Sequence, residues 1–163
     1  MSEVDNARPR LLVADPDPEA SALLSRQLEW AGYEVTTAGN GRDALDLIRR
    51  LKPAAAVLEV KMELLTGYEV VRQMREDDPT RLVPVVMISA RAGKLDRDFA
   101  FTVGADDYVK KPFRSADLVA RLALLAPLPE APKPKLEPVA AEAAKPSPIA
   151  RPRRQLVPLA LAR

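Results

Sequence analysis

Short apolar runs alternate along the chain with segments whose apolar residues recur every three or four positions, and the two periods separate strands from helices. RLLVA at Arg10–Ala14 predicts a first strand. Asp17-Pro18-Glu19 then supplies a helix start: an N-cap acceptor, a proline at the first helical position and an acid near the positive helix end. That helix runs to Ala31 with Ala20, Leu24 and Leu28 on one face, and Gly32 suits its stop. EVTTA at Glu34–Ala38 predicts a second strand, Asn40-Gly41 a turn, and residues 42–51 a helix that turns Ala44, Leu45, Ile48 and Leu51 inward. Lys52-Pro53 breaks it. The continuous apolar run at 55–60 (AAVLEV) reads as a strand buried on both faces.

The alternation continues. Gly67–Glu76 predicts a helix with Val70, Val71 and Met74 inward, and Val85–Ser89 (VVMIS) a fourth strand. Residues 95–103, stopped by Gly104, give a fourth helix, and Asp107–Lys110 a short fifth strand. A last helix, capped by Ser115, carries Leu118, Val119, Leu122 and Leu125 on its apolar stripe. Five strand–helix units in strict alternation predict an α/β fold, a parallel sheet with helices on both faces. Right-handed crossovers favour the strand order 2-1-3-4-5.

From residue 127 the character changes. Nine of the 16 prolines lie in 127–163, with many alanines and no aromatic residue, so this segment reads as a disordered Pro/Ala-rich tail, with residues 1–9 a flexible N-terminus and 10–126 the domain. Residues 1–126 hold 18 basic and 20 acidic side chains, and 127–163 hold 7 and 3, so the tail is basic. Arg151, Arg153 and Arg154 cluster there, but no reading element or aromatic stacking platform accompanies them, which argues against nucleic-acid binding. Residues 155–163 are apolar enough to contact a second partner, although Pro158 interrupts any helix. The chain of 163 residues has no cysteine and no histidine. That excludes disulfides, thiolate metal sites, cysteine nucleophiles and the commonest general base. No segment reaches the ~18 apolar residues of a membrane span, and the expected location is the cytoplasm.

In an open α/β sheet the site lies beyond the carboxyl ends of the strands. Asp15 follows the first strand, Glu59 ends the third, Ser89 ends the fourth, and Lys111-Pro112 follows the fifth. Two acids, a hydroxyl and an amine therefore converge on one edge. The chain resembles, over about residues 10–125, the receiver domain of bacterial two-component response regulators. The motifs that carry the resemblance are LLVADPDPEASALL, AGYEVTTAGNGRDALDLI, Gly67-Tyr68, PVVMISA and, above all, GADDYVKKPF at 104–113. The resemblance implies a flavodoxin-like sheet, a Mg2+ ion held by acids after the first strand, and phosphoryl acceptance by an aspartate ending the third. It implies that a hydroxyl residue and a lysine bind the phosphoryl oxygens, roles that fall on Ser89 and Lys111. It further implies that the aromatic at Tyr108 changes orientation with them, that the Lys111-Pro112 bond is cis, and that a protein partner or a second copy docks on the face of the fourth helix, fifth strand and fifth helix, around Phe101, Tyr108 and Val109.

The chain departs from that pattern at the site. Glu59 replaces the acceptor aspartate and carries its carboxylate one methylene further out, where a misplacement of ~1 Å can cost ~100-fold in rate. Pro16 takes the second acid position, leaving Asp15 and, nearby, Asp17 as the acidic pocket. No cofactor is required on this reading, and any remaining Mg2+ affinity, resting on Asp15 and Glu59, would be weak. Lys61 is a candidate to substitute for the metal by pairing with Asp15 or Glu59, and Glu63, where many receivers have proline, implies a different loop shape. These departures point to a non-enzymatic, phosphorylation-independent receiver whose Glu59 partly imitates a phosphoryl group. Two alternatives stand beside it: a kinase-driven regulator that still accepts phosphate, on Glu59, Asp15 or Asp17, and a tail-mediated nucleic-acid adaptor.

Overall fold

A computed structural model describes residues 7–91 and 93–130. Strands and helices alternate through them: β1 Arg10–Ala14, α1 Pro18–Ala31, β2 Glu34–Ala38, α2 Gly41–Leu51, β3 Ala55–Glu59, α3 Gly67–Glu76, β4 Val85–Ser89, α4 Lys94–Val103, β5 Asp107–Lys110 and α5 Ser115–Leu125. The strands pair in parallel in the order β2-β1-β3-β4-β5. This is the flavodoxin-like arrangement that the alternation predicts.

Helix boundaries follow local chemistry. The Asp17 carboxylate caps α1 by accepting from the amides of Glu19 (2.9 Å) and Ala20 (3.3 Å). Asn40 does more than turn the chain: its side chain accepts from Asp43 N and caps α2, which begins one residue earlier than the sequence suggested. Thr66 and Glu69 form a reciprocal capping box at the start of α3. Gly32 and Gly104 close α1 and α4 with φ of 114°, a conformation that side-chain-bearing residues rarely adopt. Ser115 is not a cap; it is the first residue of α5, and Arg114 holds the N-cap position without a side-chain bond.

Alternate residues of each strand feed two apolar layers. Leu12, Leu58, Met87 and Tyr108 face α2, α3 and α4 through Ile48, Met74 and Ala100. Leu11, Val57, Ile88 and Val109 face α1 and α5 through Leu28, Leu118 and Leu122. β3 and β4 are buried at every position, as a doubly covered parallel sheet requires. The packed unit continues past residue 126: Tyr33 Oη donates to Ala126 O, and Leu128 packs against Gly32, whose missing side chain leaves room for it. The expected tail thus begins in contact with the core. Residues 131–163, including Arg151, Arg153, Arg154 and Pro158, lie outside the described residues, as do 1–6 of the expected flexible N-terminus.

One arginine on α3 ties the α3–β4 loop to the α4–β5 loop. The Arg75 guanidinium donates to the carbonyls of Gly104, Arg81 and Val83 and pairs with Asp106 at 3.0 Å. Asp106 in turn accepts from Val85 N at 2.8 Å, fixing the start of β4.

Candidate functional site

The carboxyl ends of β1, β3, β4 and β5 bring Asp15, Glu59, Ser89 and Lys111 together. Asp15, Glu59 and Ser89 are buried. The backbone sets each one: Asp15 N donates to Ala38 O at the end of β2, and Lys111 N donates to Ser89 O at 2.8 Å, continuing the β4–β5 ladder past the strand. The Lys111–Pro112 peptide is cis.

Lys111 forms the centre. Its Nζ lies 2.7 Å from Asp15 Oδ2 and 2.6 Å from Glu59 Oε2. Burial alone would lower the ammonium pKa, but hydrogen bonds and charge from Asp15 and Glu59 outweigh it and hold Lys111 above the ordinary lysine value. The outer oxygens of the acids are also engaged. Asp15 Oδ1 accepts from Asp17 N at 2.9 Å, and Glu59 Oε1 accepts from Lys61 N at 3.2 Å. Two carboxylates taken out of water thus share one cation and two amides.

The candidate residues divide into those the fold collects and those it does not. The cation between the acids is Lys111, not Lys61. Lys61 is exposed and approaches Glu59 through its backbone amide, and no ion pair among the described residues includes its ammonium. The physical reason is reach: Lys111 extends from the loop after β5 straight across the strand ends, whereas Lys61 follows Glu59 on the same turn. Asp17 is likewise exposed, with its carboxylate spent on the α1 cap, and contributes to the pocket only an amide. Ser89 Oγ accepts from Arg91 N at 3.1 Å.

Tyr108 is fully buried, and its hydroxyl donates to Arg91 O at 2.5 Å. Arg97 covers it from outside: its guanidinium carbon sits 6.0 Å from the ring centroid and its Nη2 donates to Tyr108 O. Of the residues expected at the surface, Phe101, Tyr108 and Val109, only Phe101 is exposed; the exposed Arg97, Lys110 and Arg121 gather around Tyr108 and Val109. Arg121 is held by Asp107 at 2.7 Å.

The loop between β3 and α3 is tied down at Glu63. Glu63 O accepts from Gly41 N and Leu65 N, and Leu64 takes a left-handed φ of 66° while 72% exposed. Gly67 then passes so close to β3 that a Cβ there would lie 2.5 Å from Glu59 O, so the bend that presents Glu59 requires glycine.

Above the cluster opens a cleft of about 650 Å3, walled by Val60, Lys61, Thr66, Tyr68 and Arg91. Sequence reasoning missed Arg91, Thr66 and Arg97, and quoted Tyr68 only as part of a motif, without a role at the site. The Thr66…Glu69 spacing was a legible capping signal; the two arginines carried none, because their roles come from backbone atoms and from neighbours distant in sequence. Tyr68 stacks edge-on against Phe99 at 4.8 Å. Burial, followed by the neighbouring Tyr108 phenol, pushes its pKa up to about 12.

No helix among the described residues is long and apolar enough to cross a membrane. The chain is 44% identical over 117 residues to the transcriptional regulatory protein PrrA of Mycobacterium tuberculosis, covering 72% of this chain and 49% of that protein. It spans about half the length of the curated relatives it matches. Among solved structures, a Francisella response regulator receiver domain superposes with a TM-score of 0.70 at 28% identity, covering 73% of this chain and 97% of that one. The receiver domain of a Pseudomonas aeruginosa sensor histidine kinase, solved with magnesium coordinated in its active site cleft, gives a TM-score of 0.69 at 28% identity, covering 74% and 98%. Residues 11–123 match the response regulator receiver domain, and the chain belongs to that family of two-component signalling proteins.

Proposed function

We propose that this receiver signals without accepting a phosphoryl group, as a non-catalytic protein-interaction module whose resting state is set by sequence. The observation that carries the reading is the Lys111 ammonium, 2.6 Å from Glu59 and 2.7 Å from Asp15. The lysine that the family directs at phosphoryl oxygens is here engaged by the side chain that replaced the acceptor. Glu59 brings one charge and two oxygens where a phosphoryl group brings about −1.5 to −2 and three, so the imitation is partial.

The donor set suits Mg2+ poorly. Two carboxylates face the position, a lysine ammonium bridges them, and Pro16 stands where a further acid would help; no group of three acidic side chains among the described residues is arranged to hold a metal. The buried Tyr108, hydrogen-bonded to Arg91 O, supports a fixed output surface on α4, β5 and α5, where a protein partner or a second copy would dock. Several relatives are named as transcriptional regulators and one, from Mycolicibacterium smegmatis, as DNA-binding, but this chain aligns with about half of their length. The nucleic-acid reading depends on Arg151, Arg153 and Arg154, outside the described residues, and no observation favours it.

The test is intact mass after incubation with Mg2+ and a small acyl phosphate, beside the Glu59→Asp/Pro16→Asp double variant. No adduct on the native chain and one phosphoryl adduct on the variant is the expected result. An adduct on the native chain would favour the kinase-driven alternative instead.

A further inference from the structure

We propose that the outer face of α1 and α5 is an interface on which a second copy of this chain docks. Trp30, the only tryptophan, is 97% exposed, and Leu23, two turns earlier on the same side of α1, is 54% exposed. A tryptophan left in water gains nothing from the core of its own fold, and tryptophan is among the residues most enriched where interfaces carry their energy. α5 packs beside α1 over a shared core of Leu28, Leu118 and Leu122 and presents the opposite relief. Its Ala116, Ala120 and Ala123 are all exposed. One face thus holds both halves of a fit, large side chains on one helix and a flat strip on its neighbour. A two-fold interface needs this, because each copy must supply both the contact and its counterpart.

The register follows from how the two helices stand. Both run in the same direction against one parallel sheet. They are level: Ala20 and Ser115 line the groove at one end, and Tyr33 bonds to Ala126 O at the other. A two-fold axis along the groove lays α1 of each copy over α5 of the other. Leu23 then seats between Ala116 and Ala120, and Trp30 covers Ala123 and the end of α5. Charge agrees with this arrangement. The alanine strip carries none, and Glu19 comes level with Arg114 of the other copy, two residues that are in no ion pair among the described residues. Helices about 21 Å and 16 Å long and about 10 Å wide make a face of roughly 400 Å2 per copy. That is about half the ~800 Å2 per partner of a standard interface, so the dimer is weak and forms as concentration rises. The opposite flank of α5, where Asp107 holds Arg121, stays open. Each dimer therefore presents two output faces and gains avidity for a paired partner; that consequence alone rests on the function proposed above.

The experiment follows the full chain by sedimentation equilibrium from about 1 µM to about 1 mM, a range that spans weak dissociation constants, with tryptophan emission read on the same samples. The mean mass should rise from one chain towards two. Emission should move to shorter wavelength in step, because the single tryptophan reports its own burial. Leu23→Glu and Ala120→Glu, on different helices, should each weaken association about tenfold or more by burying an unpaired charge. Both positions are exposed, and circular dichroism checks that each variant folds. The double variant Leu23→Glu/Ala120→Lys should recover most of the loss, since the register brings the acid of one copy within a turn of the lysine of the other. No rise in mass over that range, a rise with unchanged emission, short-wavelength emission already at the lowest concentration, or single variants that associate like the native chain would each overturn the interface. A double variant that stays dissociated would overturn the placing of α1 over α5. Loss of association in Phe101→Glu with Leu23→Glu unaffected would move the contact to the other flank and equally sink the proposal. A phosphoryl adduct in the mass experiment bears on the function above and leaves this measurement untouched.

Discussion

Lys111 stands 2.6 Å from Glu59 Oε2, so the cation at the end of β5 is committed to the side chain that ends β3. The same ammonium serves Asp15 from β1. Both acids are buried, and neither has another cationic partner among the described residues. The cluster therefore stabilises the domain only while all three members are present.

Lys111→Met leaves two buried carboxylates facing each other without a cation. Breaking a fully buried pair costs about 3–5 kcal/mol. The Lys111 side chain is 29% exposed, and solvent screening reduces the expected loss to roughly 2–3 kcal/mol. Urea denaturation reads this as a lower midpoint with an unchanged slope. Adding Glu59→Gln should recover part of the loss, because one of the two repelling charges is gone; a second loss of equal size would mean that the two side chains are not coupled.

The pH dependence of the cluster has a fixed sign. Lys111 binds its proton more tightly in the folded chain than at the ordinary lysine value of 10.5. Its contribution is therefore fully present below the unfolded value and is lost as pH rises through the folded one. Native-chain stability should carry an alkaline limb above about pH 10 that Lys111→Met lacks. If the two chains lose stability in parallel there, another group is responsible.

The fold was legible because period and punctuation agreed. The run at 55–60, the alternation of the helices and the glycines at 32 and 104 each predicted what the backbone does. The site was legible only in part. Strand ends located Asp15, Glu59, Ser89 and Lys111, but sequence adjacency suggested Lys61 as the partner of Glu59, and adjacency is a poor guide to reach across a sheet. Asp17 was read both as a helix cap and as a pocket acid; one carboxylate serves one of these, and the α1 amides take it. Arg91 and Arg97 were invisible because their contacts to Tyr108 use its carbonyl partner and its ring, neither of which leaves a pattern in sequence.

The capping box at α3 sets an acid limb. Thr66 holds the Glu69 carboxylate below its ordinary value through amide and hydroxyl hydrogen bonds. That contribution is present above the ordinary value of 4.5 and is lost as pH falls through the lowered one. Glu69→Gln, which keeps an acceptor but not the charge, should be less stable than the native chain near neutrality, and a pH series should show the two converging in acid. A difference that stays constant down to the most acidic point would place the cost elsewhere.

Arg75 makes a prediction about geometry rather than charge. Its guanidinium satisfies three carbonyls and one carboxylate at once. Lysine has the charge but lacks the planar fork. Arg75→Lys should therefore recover little of the loss in Arg75→Ala, which should be about 3 kcal/mol given several charge-assisted bonds to partly buried acceptors. Full rescue by lysine would show that only the Asp106 pair matters.

Lys61 and Lys111 meet Glu59 in different ways. Both are lysines beside Glu59, but only Lys111 has its ammonium between the acids; Lys61 offers Glu59 a backbone amide, which any residue except proline would supply. Lys61→Ala should therefore leave stability within about 0.5 kcal/mol of the native chain, since an exposed side chain without an ion pair is removed and the amide is kept. Lys61→Pro, which removes that amide, should cost more than Lys61→Ala. A large loss in Lys61→Ala, comparable to that in Lys111→Met, would mean that the Lys61 ammonium enters the acid cluster in solution, and the division of roles between the two lysines would have to be reversed.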